Sequence, residues 1–344
     1  MQELNRKQRI LKLIVEEFVK TAEPVGSHSL LDKYDLPYSS ATIRSEMAEL
    51  ENLGYLEKTH TSSGRVPSPM GYRYYVDSLR DKKCIDDDTK EKIQALFSQK
   101  DIQINEVIKH GCEIISQMTN LTSVMLGPDS NEECLSKVQL MPLTSTSVVA
   151  LFVTDRGHVE HKIFSIPNSI AMNDLENCVE ILNDRISGTK ISQVIDKVNS
   201  IKPILADAVK QHEVIFKAFL EAFLKFTAER VSVFGRANIL EQPEFTSNLN
   251  KLRKLVNLLE NQDVWRQFDS NDDICVMIGD ENTIAEIDDL SVVSANIHFD
   301  NNNNGKIALI GPTRMDYSKV IGALEYLQEA IDEYFKESED DKDE

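Results

Sequence analysis

The chain has no apolar run approaching the roughly 20 residues needed to cross a bilayer as a helix. Its opening, Met1-Gln2-Glu3-Leu4-Asn5, lacks the features of a secretory signal. Cysteine is sparse, at 84, 112, 134, 178 and 275, and no spacing among the five forms a metal knuckle or a Cys-x-x-Cys pair. They read as reduced, packed thiols of a cytoplasmic protein. Catalytic signatures are missing as well: no Gly-x-Gly-x-x-Gly, no Gly-Lys-Ser/Thr phosphate loop, no Gly-x-Ser-x-Gly elbow and no His-Glu-x-x-His. His158 and His161 stand three apart on an expected strand, so they point to opposite faces and make no metal pair. Neither an enzyme nor a cofactor is expected.

Positive charge is scarce too. The 344 residues carry a formal charge of −19, which argues at first against nucleic acid. The distribution resolves the conflict. Residues 1–80 hold eleven basic and eleven acidic side chains, so the remainder carries the whole deficit. Within residues 58–83, Lys58, Arg65, Arg73, Arg80, Lys82 and Lys83 face only Asp77 and Asp81. That is either a local basic patch on an acidic protein or a solvated hairpin with scattered charges. An acidic body would repel DNA and leave only the head to approach it.

What is present is concentrated in that head. Asn5 with Gln8 three residues on caps a first helix bearing Ile10, Leu11, Ile14, Val15 and Phe18 at helical spacing. Pro24-Val25-Gly26 breaks it, and Ser27 caps a short second helix through Leu30, Leu31 and Tyr34. Asp35-Leu36-Pro37-Tyr38 makes the turn. Ser39 or Ser40 caps a third helix with Ile43, Met47 and Leu50 on its inner face, and Gly54 fits the left-handed position after it. The opposite face offers Ala41, Ser45, Ala48 and Asn52, flanked by Thr42 and Arg44. Small and hydrogen-bonding side chains with a lateral arginine suit a helix entering a DNA major groove. A strand at 55–59, a polar tip at 60–64 and a return at 65–67 follow. Three helices and a hairpin predict a winged helix-turn-helix, with a generic three-helix bundle as the plainer alternative.

Several segments resemble the HrcA family, the bacterial heat-inducible repressors of chaperone operons: Glu23-Pro24-Val25-Gly26-Ser27, Ser39-Ser40-Ala41-Thr42-Ile43-Arg44, Leu53-Gly54-Tyr55-Leu56, His60 to Pro67 and Gly71 to Asp77. Leu121 to Pro128, Leu240-Glu241-Gln242-Pro243-Glu244-Phe245 and Ile310-Gly311-Pro312-Thr313-Arg314-Met315-Asp316-Tyr317 extend the resemblance to about Phe335. Two positions depart from the family pattern, His28 where it usually has a basic residue and Met70 where it has lysine, and both remove possible phosphate contacts. The resemblance implies an α+β chain: a winged helix-turn-helix at 1–80, then a GAF-like domain interrupted by an inserted, mainly helical dimerisation domain. With the residue patterns, this sets a polar linker at 81–88, the GAF-like domain at 89–185 and 272–335, the insertion at 186–271 and a disordered acidic tail at 336–344.

Strand patterns at 122–126, 147–153 and 158–164 precede the insertion, and others at 274–278, 290–297 and 306–310 follow it. Asn301 to Gly305 turns the last hairpin, and Thr313 with Asp316 caps the closing helix. A long helical pattern from Leu205 to Arg230 carries Phe216, Phe219, Phe223 and Phe226 on one face. Such a stripe is either domain core or dimer interface, and both hold if the helix packs inward on one side and against a partner on the other.

The functional expectation is a DNA-binding repressor acting as a homodimer on an inverted-repeat operator, of the CIRCE type by resemblance. The candidate DNA contacts are Ser39, Ser40, Thr42, Arg44, Ser45, Lys58, His60, Thr61, Ser63, Arg65 and Arg73; the candidate dimer contacts are the four phenylalanines. Resemblance also implies that the GroE chaperonin maintains the active state. A small-molecule-responsive regulator sensing through the GAF-like domain, and a winged helix that binds RNA or docks protein, are the alternatives.

Overall fold

In the computed structural model the first helix begins where the sequence sets its cap. The structure describes residues 4–59, 64–81, 85–98, 104–127, 133–144, 146–155, 159–167, 172–208, 212–228, 231–260, 265, 272–282, 287–300 and 303–340. Asn5 and Gln8 exchange side-chain-to-backbone hydrogen bonds, each 3.0 Å, at the start of α1 (Arg6–Thr21). Ile10, Leu11, Ile14 and Val15 form its buried face. Next, α2 (Ser27–Lys33) is preceded by Gly26 as its cap, not by Ser27, because the Ser27 hydroxyl turns inward to Ser40. Ser39 caps α3 (Ser40–Asn52), which buries Ile43, Met47 and Leu50. Gly54 then takes φ +84°, the left-handed conformation expected there.

The hairpin β1 (Leu56–Lys58) and β2 (Arg65–Pro67) pairs Lys58 with Arg65, and a bridge from Val25 to Arg65 ties it to the break after α1. Helix α4 (Pro69–Tyr74) continues as a π turn over Tyr75–Leu79. Residues 81–88 are more than a polar linker, since Ile85 is buried and Asp86 already caps α5 (Asp87–Phe97). Then come α6 (Ile104–Thr119) and β3 (Thr122–Leu126).

The chain next leaves this unit. Residues 127–231 form a second unit, and the first resumes at 232. The interruption is therefore not at 186–271, and beside its helices it holds a sheet. It contains β4 (Cys134–Thr144), β5 (Ser147–Thr154), β6 (Val159–Ser165), α7 (Met172–Ile186), β7 (Thr189–Lys190), α8 (Ile191–Ala208) and α9 (His212–Ala228). Its four-stranded sheet has the order β6-β5-β4-β7, so the strands expected at 147–153 and 158–164 belong here and not with the C-terminal strands. The single helix expected over 205–230 is divided between α8 and α9.

The first unit resumes with β8 (Val231–Phe234), α10 (Arg236–Leu240), α11 (Pro243–Thr246), α12 (Leu249–Glu260), β9 (Ile274–Met277), β10 (Leu290–Asp300), β11 (Asn303–Pro312) and α13 (Tyr317–Asp340). Its sheet runs β8-β3-β11-β10-β9. Asn303, Asn304 and Gly305, expected in the β10–β11 turn, are strand residues paired with β10. Asp316, not Thr313, caps α13: its carboxylate accepts from the Lys319 amide at 3.1 Å. This helix continues to Asp340, through the first five residues of the expected tail, while 341–344 lie outside the described residues. No described helix is long and apolar enough to cross a membrane.

Candidate nucleic-acid interface

The N-terminal turn of α3 is built from hydroxyls. Ser39 accepts from the Thr42 amide at 3.1 Å, and the two hydroxyls share a 2.9 Å hydrogen bond. Ser40 meets Ser27 of α2 at 3.1 Å, which fixes the angle between the two helices. These three expected contact residues are thus already engaged in holding the helix start. Beyond them the outer face opens: Ala41, Arg44, Ser45, Ala48 and Asn52 are exposed. Arg44 and Lys58 make no ion pair or hydrogen bond among the described residues, so both charges are free for an anionic partner.

The acidic side chains of α3 are neutralised from behind. Glu46 is buried and paired with Arg6, whose guanidinium also lies 5.8 Å from the Tyr38 ring centre. Glu49 pairs with Lys7 at 2.5 Å, and Glu51 with Arg65 at 2.7 Å. Charge counting could not find these pairings, because their partners lie 14 to 42 residues away in sequence. They remove three carboxylates that would otherwise repel phosphate.

The expected basic patch is divided. Arg65 is tied to Glu51, which anchors the base of the hairpin to the end of α3. Arg73 turns away to the body: it donates to the Val276 carbonyl at 2.6 Å and pairs with Glu281 and Asp77. Glu281 raises the Arg73 pKa despite partial burial. Arg80 approaches Glu325 at 3.5 Å. Arg73 is therefore withdrawn as a DNA contact, because α4 presents this side chain to the sheet. His60, Thr61, Ser63, Lys82 and Lys83 lie outside the described residues. Of the two family departures, His28 is exposed on the first turn of α2, and Met70 packs its methyl over Gly54.

The aromatic stripe is core. Phe216, Phe219 and Phe223 are at most 7% exposed, and Phe152 of β5 packs on Phe219 and Phe223 with ring centres 5.8 and 5.7 Å apart. They are withdrawn as dimer contacts, since these rings already close their own sheet; the Phe226 side chain lies outside the described residues. In the first unit, Arg314 pairs with Glu244, with Gln242 accepting at 3.2 Å. No group of three or more potential metal ligands occurs among the described residues.

The family model for the HrcA protein C terminal domain matches residues 105–321, more than half of the chain. A heat-inducible transcription repressor HrcA of Halalkalibacterium halodurans is 38% identical over 330 residues, which is 95% of this chain and 96% of that one. The protein of the same name from Bacillus pumilus is 38% identical over 331 residues with the same coverage. This chain belongs to the HrcA family of heat-inducible transcription repressors. A crystal structure of a hypothetical protein shares the fold, with TM-score 0.71 and 21% identity over 97% of this chain and 99% of that one. Within this chain, the Leu240–Phe245 and Ile310–Tyr317 segments meet through the Arg314–Glu244 pair.

Proposed function

We propose that this HrcA-family chain represses heat-shock chaperone operons by reading an inverted-repeat operator of the CIRCE type as a homodimer. The head is read as a winged helix-turn-helix, with α3 as recognition helix and β1–β2 as the wing. The body sheet with its helices is read as the GAF-like domain. The observation that carries this is the outer face of α3, where Arg44 stands free among small side chains while every acidic group behind it is paired. Arg44 and Ser45 read base edges, Thr42 supports them from the first turn, and Lys58 holds phosphate.

The dimer contact is assigned to the open face of the four-stranded sheet. On β5, Val148, Ala150 and Phe152 face the helices, so Val149, Leu151 and Val153 face the other way. Register sets Met141 and Ile163 beside Val149, and Val159 beside Val153. Met141, Val159 and Ile163 are 41%, 56% and 59% exposed, whereas an uncovered antiparallel face is ordinarily polar. A second copy laid on this face covers the patch and brings the two-fold symmetry that an inverted repeat demands. The GroE chaperonin, as the family resemblance implies, keeps the dimer active; an uncovered apolar face is what a chaperonin captures.

The test is titration of operator DNA with Arg44→Ala and Lys58→Ala. The first costs about 1–3 kcal/mol and relaxes base preference. The second weakens all DNA alike and flattens the salt slope by roughly one. Parent-like operator binding by Arg44→Ala refutes α3 as the reading helix.

A further inference from the structure

The side of the head that turns away from DNA is not free. Helix α4 and its π turn lie between α1 and the body. Toward α1, Gln8 donates to the Tyr74 hydroxyl at 2.8 Å and Lys12 pairs with Asp81 at 2.7 Å. Toward the body, Tyr72 packs on Tyr317 with ring centres 5.8 Å apart, and the Tyr75 and Ser318 hydroxyls meet at 3.0 Å. Tyr72, Tyr75, Val76 and Leu79 join one apolar cluster with Tyr317, Ile321 and Leu324 of α13. Arg73 completes the clasp by gripping Glu281 and the Val276 carbonyl on the edge strand β9. Glu281 is braced in turn, because its carboxylate accepts from the Ile278 amide at 3.0 Å. A head joined only through a linker would hold none of these contacts. π turns inside helices also recur at functional positions.

We infer that this clasp is a ruler: by fixing the head on the body, the Arg73–Glu281 grip removes the head's own freedom to swing, and so narrows the operator half-site spacings that two heads accept. Arg73 and Glu281 are thus positioning residues that never touch DNA. The inference rests on the dimeric reading above. It follows from geometry, because two heads reach successive major grooves only when held about one helical turn apart, and a freely hinged head would accept many spacings.

The experiment measures affinity for three duplexes: the native inverted repeat, the same half-sites with the spacer changed by about 5 base pairs (half a turn), and a single half-site. The full-length parent should prefer the native spacing by roughly tenfold or more. Arg73→Ala and Glu281→Gln should both bind the half-site as the parent does and lose most of that preference. The exchanged pair, Arg73→Glu with Glu281→Arg, should restore it. Thermal melting verifies that each variant is folded. Should the rest of the clasp hold in the single variants, removing its hydroxyl pair by adding Tyr75→Phe and Ser318→Ala to Glu281→Gln must reduce the preference. A parent-like spacing profile in that combined variant overturns the ruler. If Arg73→Ala instead weakens half-site binding and lowers its salt slope, Arg73 is a phosphate contact and the inference fails. A parent that binds half-site and inverted repeat equally removes the dimeric reading itself, which is a different failure.

Discussion

Glu17 shows how a single carboxylate holds the reading head together. It is buried on α1 and reaches α2, pairing with Lys33 and accepting from the Tyr34 hydroxyl at 3.1 Å. The Lys33 hydrogen bond leads in lowering its pKa below the ordinary carboxylate value, while burial with the Glu17 contact pushes Tyr34 up to about 12. A carboxylate held below its unfolded value, roughly 4.3, contributes stability that is fully present above that pH. The contribution fades as pH falls through the lower folded value. Glu17→Gln should therefore be less stable than the parent in urea at neutral pH, with the gap narrowing in acid. A gap independent of pH between 7 and 3 would mean that packing, not charge, makes the difference. Neither this contact nor the Arg73–Glu281 grip was legible from sequence, because charge counting gives the sign of a side chain and not its direction. Arg73 looked like one more cation of the wing until α4 turned it inward.

At the scale of elements, what was legible had a period or a cap. The Asn5–Gln8 capping box and Gly54 each fix a helix boundary with local chemistry, the Ile43–Met47–Leu50 spacing fixes a buried face, and α1 and α3 follow closely. Sheet membership has no such local signal. Strand β4 escaped because Ser136, Lys137, Gln139 and Pro142 break its apolar run. Without it, β5 and β6 were joined to the wrong sheet and the insertion was set too late. Two elements give sharp tests. A Cβ on Gly71 would lie 2.1 Å from the Tyr55 carbonyl oxygen, so Gly71→Ala must push α4 off the hairpin. It should cost about 1–3 kcal/mol in chemical denaturation, and a neutral result would mean that this approach is looser than described. Phe223→Ala should cost about 3–5 kcal/mol, since the ring is fully enclosed between Phe152 and Phe219. Loss of the dimer without loss of stability would return the stripe to the interface.

For the whole molecule, charge and symmetry govern. Residues 81–344 bear all of the −19, so the proposed reading sets DNA against the neutral head with its cations at Arg44 and Lys58, away from the acidic remainder. Replacing Ile163 by lysine on the open sheet face should give a folded monomer in sedimentation with weak, salt-sensitive DNA binding. A dimer that survives both Ile163→Lys and Met141→Lys would shift the contact to another surface. That face was not visible in sequence either, because which side of β5 and β6 stays bare depends on where α9 lies.

The clasp between α4 and α13 also has a consequence in time. Arg80 and Glu325 are 245 residues apart, so the apolar side of α4 leaves the ribosome long before the helix that covers it. At roughly 5–20 residues per second, that interval is on the order of 10–50 s. Throughout it, the nascent chain presents Tyr72, Tyr75, Val76 and Leu79 without α13 to cover them, and synthesis itself opens a window in which that apolar side is exposed.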